Sequence, residues 1–215
     1  MLQVTQSNVM NFPNAIRGAR NPMNSWAKSD SYETPDGGYF LGPNDLNLAS
    51  RLCRAGSDHR KFMRQIFVSV DILAPLYWWK EFDTYKVGTV ANSTSTMHKM
   101  HSKPFSISDF SYDQLITESS TMMQEIVEHL ETLRLRYLDG RDKQIWYTMI
   151  QLLPSSYNQL RTVTLNYENL VSMHNQRRNH KLAEWHVFCD WIESLPYANE
   201  LILMKASTSD EPNNH

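Results

Sequence analysis

Residues 74–98, APLYWWKEFDTYKVGTVANSTSTMH, decide how this chain folds. Ala74-Pro75 ends an apolar run and opens a helix, because proline is tolerated in a first helical turn. Trp78, Phe82 and Tyr85 then recur at helical spacing and give the helix one bulky apolar stripe. Aromatic residues at that spacing read first as core. For Trp78-Trp79 an interface or a stacked ring is the alternative. The composition then changes abruptly. Thr89, Asn92, Ser93, Thr94, Ser95 and Thr96 offer neutral donors and acceptors with almost no charge. Such a segment can face a ligand, or it can satisfy its own backbone as a hydroxyl-rich loop.

Upstream, Ile66, Val68, Val70 and Ile72 alternate with Phe67, Ser69 and Asp71, the clearest strand pattern in the chain. Residues 1–12 read as a strand or arm. Residues 14–20 read as a helical turn ended by Asn21-Pro22, and residues 25–38 as a loop. Pro43-Asn44-Asp45 offers caps for a helix carrying Leu46, Leu48, Ala49, Leu52 and Cys53, with Gly56 as its stop. Downstream, residues 89–96 read as a polar strand or turn. Residues 111–138 form a long amphipathic helix with Leu115, Met122, Ile126, Leu130, Leu133 and Tyr137 on one stripe. A helix around Trp146, a strand over 161–167 and helices over 168–178 and 181–195 complete the order. Trp185, Phe188, Cys189 and Ile192 form the core stripe of the last helix. Strands are few and helices dominate, so the expected class is α+β, a small sheet packed by long helices. One domain over residues 1–205 is expected, with 206–215 as a disordered polar tail.

Composition removes several function classes. A net charge of −2 over 215 residues argues against a strongly electrostatic nucleic-acid binder. No apolar run approaches the ~20 residues of a membrane span, and no secretory leader is apparent. A cytoplasmic protein is therefore expected, with neither membrane nor nucleic acid as partner. The seven glycines form no Gly-x-Gly-x-x-Gly and no P-loop. Cys53 and Cys189 lie in apolar helical patterns and read as buried reduced thiols, with a disulfide or a catalytic thiol as the lesser alternatives.

The chemistry-bearing candidates are modest. His98-x-x-His101 lacks a nearby cysteine or acid, and His174, His180 and His186 do not share a helical face, so no metal site is expected. No Gly-x-Ser-x-Gly occurs. Asp45 with Asp58, and Glu81 with Asp83, read as solvated faces rather than acid–base pairs. Arg177-Arg178 sits at a helix junction, where two arginines can grip a phosphate or simply complement the helix dipole.

The order of these segments resembles the flavin-dependent thymidylate synthases over roughly residues 13–195. The resemblance is carried by NAIRGAR near the start, by the helix ending at Gly56 with Asp58-His59 after it, and by the strand ending in Ala74-Pro75. Leu152-Leu153-Pro154 and the spacing of Thr164, Asn166, Leu170 and Arg177 add to it. The family signature, Arg-His-Arg-x-x-Ser-x-Asn-x-x-Ser-x-Arg, falls on residues 84–96, TYKVGTVANSTST. Thr84 and Tyr85 stand for its first Arg and His, Lys86 for its second Arg and Thr89 for its first Ser. Ala91 takes the Asn place with Asn92 adjacent, Thr94 the second Ser and Thr96 the last Arg. Hydroxyl character and one positive charge survive, while the arginines do not.

The resemblance implies a homotetramer with sites between subunits and FAD as cofactor. It implies one-carbon transfer to a pyrimidine deoxynucleotide such as dUMP, with methylenetetrahydrofolate and NADPH if the family reaction is retained. Arg177, Lys86, Tyr85 and Ser95 would bind the nucleotide; Asn166, His59 and Thr89 would meet the flavin. Glu168 falls where the family has a flavin-contacting arginine. No catalytic residue is singled out. The alternative is a catalytically degenerate relative serving as a nucleotide-binding or interaction protein.

Overall fold

The computed structural model describes residues 2–205; the expected tail at 206–215 lies outside them. The fold is α+β. Six strands and eight α-helices follow the chain as β1 (Gln3–Met10), α1 (Phe12–Arg20), β2 (Tyr32–Glu33), β3 (Tyr39–Phe40), α2 (Pro43–Arg54), β4 (Phe67–Pro75), α3 (Leu76–Phe82), β5 (Val90–Ser93), α4 (Thr117–Gly140), α5 (Lys143–Leu152), β6 (Asn158–Asn166), α6 (Tyr167–Arg177), α7 (Ala183–Glu193) and α8 (Ala198–Leu201) among the described residues. Four strands form one sheet in the order β1-β4-β6-β5. β2 and β3 form a separate antiparallel hairpin, pairing Tyr32 with Phe40 and Glu33 with Tyr39.

The chain groups into two compact units. One holds residues 2–5, 71–85 and 91–163; the other holds 6–70, 86–90 and 164–205. In the first, α4 packs on α5 around Met123, Val127, Leu130, Leu133 and Met149. Trp78 and Trp79 are buried, in mutual edge contact at 4.9 Å, which settles their role as core. Arg161 lies 4.2 Å over the Trp79 ring and is held by Asp83 at 2.7 Å and Gln159 Oε1 at 3.0 Å.

In the second unit the core of α6 and α7 runs through Tyr167, Leu170, Trp185, Phe188 and Ile192. Here Arg20 and Asp45 form a buried ion pair at 2.5 Å. Asp45 was expected as a helix cap or a solvated carboxylate, and it is neither. Gly42 is the N-cap residue of α2, and the Asp30 carboxylate accepts from the Asn44 and Asp45 N–H groups at 2.8 and 3.0 Å.

The strand pattern at β4 holds as read: Val68, Val70 and Ile72 are buried while Phe67 is exposed. The α4 stripe holds from Ile126 onward: Leu130 and Leu133 are core, with Ile126 and Tyr137 packed against them, while its first two members fall outside. The helix begins at Thr117, so Leu115 precedes it, and Met122 is 63 % exposed while Met123 and Val127 are core. Two short elements, the β2–β3 hairpin and α8, were not expected at all.

Candidate functional site

The segment that follows α3 turns at Gly88, whose φ of 75° is a region that L side chains rarely adopt. A Cβ at this position would stand 2.9 Å from Asn166 Nδ2 and 3.1 Å from Asn169 Oδ1, so glycine is required for space as well as for conformation. The turn rests on the start of α6. Asn166 caps that helix, its Oδ1 accepting from the Asn169 N–H at 3.0 Å, and Asn169 returns the bond by accepting from the Asn166 N–H at 3.2 Å. This reciprocal arrangement is a capping box, with asparagine in the place usually held by Glu or Gln. The remaining atom of the Asn169 amide, Nδ2, donates to the Val87 carbonyl at 2.7 Å.

Around this junction lie three of the expected site residues. Lys86 is exposed, Asn166 is buried, and Thr89 is half-buried. The Thr89 Oγ1 is shielded from solvent and has no hydrogen-bond partner. A buried hydroxyl without a partner is costly, and such groups concentrate at functional sites. Glu168, in the first turn of α6, is held by Arg60, whose Nε donates to Oε1 at 3.1 Å and to Oε2 at 2.8 Å. The carboxylate at this position is thus neutralised by an arginine from a different element.

Arg177 lies at the other end of α6, about 16 Å along the axis from Asn166 at 1.5 Å rise per residue. Its guanidinium sits 4.7 Å over the Trp185 ring, a cation–π contact. Arg178, its neighbour in sequence, is committed to Asp190 at 2.5 Å and Glu193 at 3.4 Å. The histidines there have local partners: His174 meets Glu193 at 2.9 Å, and a His186 ring nitrogen lies 2.7 Å from the His180 carbonyl.

His59 is elsewhere in the same unit. It lines a cavity of about 600 Å³ together with Leu48, Arg51, Asp58, Lys61 and Phe62. The lining mixes apolar side chains with charges of both signs.

In the first unit, Tyr85 is half-buried after α3, and its N–H donates to the Phe82 carbonyl at 3.0 Å. The Ser95 Oγ accepts from the His98 and Met97 N–H groups at 2.9 and 3.3 Å, so this hydroxyl closes a local turn. Thr94 donates through its N–H to the Leu160 carbonyl at 2.9 Å. His101 has its Nδ1 buried with no hydrogen-bond partner, and its ring meets Tyr137 edge-on at 4.9 Å. Burial, with the charges of Arg141, Lys99 and Arg134, holds this imidazole below its usual range. Among the described residues no three His, Cys, Asp or Glu side chains come together to hold a metal.

Burial pushes the Cys53 thiol up to about 12 and the Cys189 thiol up to about 11. Both are core residues, and neither is poised as a nucleophile.

No family model and no curated protein matches this chain. Solved structures do. Thymidylate Synthase X (ThyX) from Helicobacter pylori, with FAD and dUMP, superposes with a TM-score of 0.70 at 16 % identity, covering 96 % of this chain and all of that one. A second structure of the H. pylori enzyme, complexed with FAD and dUMP, gives 0.68 at 15 % identity over 93 % and 97 %. The chain has a ThyX-like fold. The UMP/dUMP methylase PolB from Streptomyces cacaoi, bound with 5-Br dUMP, shares it at a TM-score of 0.61 and 14 % identity, over 94 % of each chain. No described helix is long and apolar enough to cross a membrane.

Asn169 and Gly88 escaped the sequence reading. Gly88 carried a readable signal, a glycine inside a hydroxyl-rich run. Asn169 carried none until α6 was seen to start at Tyr167, which places it at the third helical position.

Proposed function

We propose that this protein is a ThyX-like flavoprotein that binds a pyrimidine deoxynucleotide and transfers a one-carbon unit to it, with dUMP or a close relative as acceptor. The observation that carries the proposal is the turn at Gly88. Residues aligning with the family signature form a turn seated on α6, with a hydroxyl that lacks a protein partner. The full-length fold match to enzymes solved with FAD and dUMP supports the same reading. Thr89, Asn166 and His59 would meet FAD; Arg177, Lys86, Tyr85 and Ser95 would meet the nucleotide. The flavin supplies hydride chemistry when bound, and the protein supplies binding and orientation. NADPH and methylenetetrahydrofolate would serve as electron and carbon donors, in a cytoplasmic homotetramer.

Arginine offers paired planar donors that Lys86 and the threonines cannot reproduce. Loss of the arginines removes about 2–4 kcal/mol of electrostatic stabilisation from any step that relied on them. A reaction slower than the family's, or a different acceptor, is the expected consequence.

A second reading has its own observation. Ser95 spends its hydroxyl on a local turn, the Asn166 Oδ1 is spent on a helix cap, and residues 84–96 hold no arginine. These features suit a nucleotide-binding or interaction protein that has lost catalysis. The absorption spectrum of the purified protein separates the two. Visible flavin bands, or uptake of added FAD, are expected under the first reading; a colourless protein that takes up no FAD sinks it. With flavin bound, tritium release from labelled deoxyuridylate tests the reaction itself.

A further inference from the structure

Asn169 makes three hydrogen bonds with one carboxamide and one backbone N–H. Its N–H and its Oδ1 complete the cap of α6, and its Nδ2 reaches across to the Val87 carbonyl at 2.7 Å. The same Oδ1 is the atom that a Cβ on Gly88 would approach to 3.1 Å. The side chain therefore belongs to α6 and to the turn at once. The tips of that turn, Val87 and Val90, are 87 % and 68 % exposed and contribute little packing. Its end at Val90 enters β5, and with so little apolar burial its seat on α6 rests on the Asn169 bond and on the absence of a side chain at Gly88.

We propose that Asn169 is a positioning residue: it clamps the 86–90 turn to the start of α6 and so fixes where Lys86 and Thr89 are presented to a ligand. The inference rests on the functional reading above, in which Thr89 meets the flavin. Asn169 itself is not a ligand contact. Its carboxamide makes one bond to the cap through Oδ1 and one to the turn through Nδ2, which leaves one Oδ1 lone pair and one Nδ2 hydrogen.

The substitution that isolates the clamp is Asn169→Asp. Aspartate keeps an oxygen to accept from the Asn166 N–H, so the cap survives. It cannot donate to the Val87 carbonyl, and it sets a second acceptor against it. Gly88→Ala acts from the opposite side, its Cβ meeting the Asn166 and Asn169 side chains and pushing the turn off α6; it serves if Asn169→Asp does not fold, provided protection over residues 170–177 is retained. Each variant is compared with the unsubstituted full chain by hydrogen–deuterium exchange over residues 86–90 and by FAD titration followed through flavin fluorescence. The expected result is exchange at least tenfold faster in the turn, unchanged protection over residues 170–177, and an FAD dissociation constant raised at least tenfold. Riboflavin and FAD should be affected alike if the turn meets the ring system.

Unchanged exchange in the turn overturns the clamp. Faster exchange with unchanged FAD affinity overturns the positioning role and leaves only a structural one. Failure of the unsubstituted protein to take up FAD overturns the functional reading and with it the place of Asn169 in a flavin site, while the exchange data alone still report whether the turn is held.

Discussion

Asp45 accepts from Arg20 Nε at 2.5 Å, from the hydroxyls of Ser29 and Ser31 at 2.8 and 2.7 Å, and from the N–H groups of Asp30 and Ser31 at 3.1 Å each. Arg20 spends its other donors on the carbonyls of Ser25 and Lys28 at 3.2 and 3.1 Å. One buried carboxylate thereby fixes the loop between α1 and the β2–β3 hairpin. Burial alone would raise its pKa, but the bonds from Ser31, Ser29, Arg20 and the Asp30 N–H together outweigh it and hold the carboxyl below the usual range. A depressed carboxyl contributes stability that is present above its unfolded value, about 3.9, and is lost as the pH falls through its folded value. Asp45→Asn strands the Arg20 charge in the interior and should cost about 3–5 kcal/mol, read from urea unfolding at pH 7. The variant should also lose part of the acid-induced fall in stability below pH 4; equal slopes in both proteins would show that Asp45 does not drive it. The cysteines allow a second test at this scale. With thiols raised to about 12 and about 11, Cys53 and Cys189 should resist iodoacetamide at pH 8 in the folded protein and react promptly in urea. Rapid labelling without urea would contradict their burial.

At the scale of elements, what could be read from residues depended on what held each element in place. β4 was legible because alternation alone dictates which side of a strand is buried. The last core stripe, Trp185 to Ile192, was legible for the equivalent helical reason. α4 was legible as a helix, and Leu130 and Leu133 were read onto its core face, but at its start Met122 was placed there instead of Met123. The core face also holds a charge that periodicity passes over: Arg134 is buried, with Glu131 accepting from its Nε and Nη2 at 2.7 and 2.6 Å. Glu131 also accepts from the Phe105 N–H at 2.9 Å. A stripe built from apolar residues alone passes over such a position. The corrected facing predicts that Met123→Ala costs about 2–5 kcal/mol while Met122→Ala stays within about 0.5 kcal/mol, measured by chemical unfolding. The reverse order would put Met122 on the core face. The candidate site was legible only in part for a related reason. Lys86, Thr89 and Asn166 come together at the turn on α6, but the residue that joins them, Asn169, acts through cap geometry that no periodicity encodes.

For the whole molecule, the distance along α6 constrains what any site can be. Asn166 and Arg177 stand at opposite ends of one helix, about 16 Å apart, beyond the span of a single nucleobase and its sugar. If Asn166 meets the flavin ring and Arg177 the pyrimidine stacked on it, the separation along α6 favours drawing the two contacts from different copies of the chain. Such sharing requires an oligomer, and the homotetramer proposed above supplies one. That proposed tetramer should sediment near ~100 kDa, four copies of a 25.1 kDa chain. Mixing sharpens the test. Arg177→Ala should abolish dUMP binding in the presence of FAD, and Asn166→Ala should weaken FAD binding itself. Neither homotetramer then forms the ternary complex, but co-refolded mixtures contain some sites with an intact Asn166 from one chain and an intact Arg177 from another. Recovery of ternary binding in the mixture, scored by dUMP-induced change in the flavin spectrum, is the expected outcome. A mixture no better than its two components would mean that both residues act within a single chain, and one of the two site assignments would have to be abandoned.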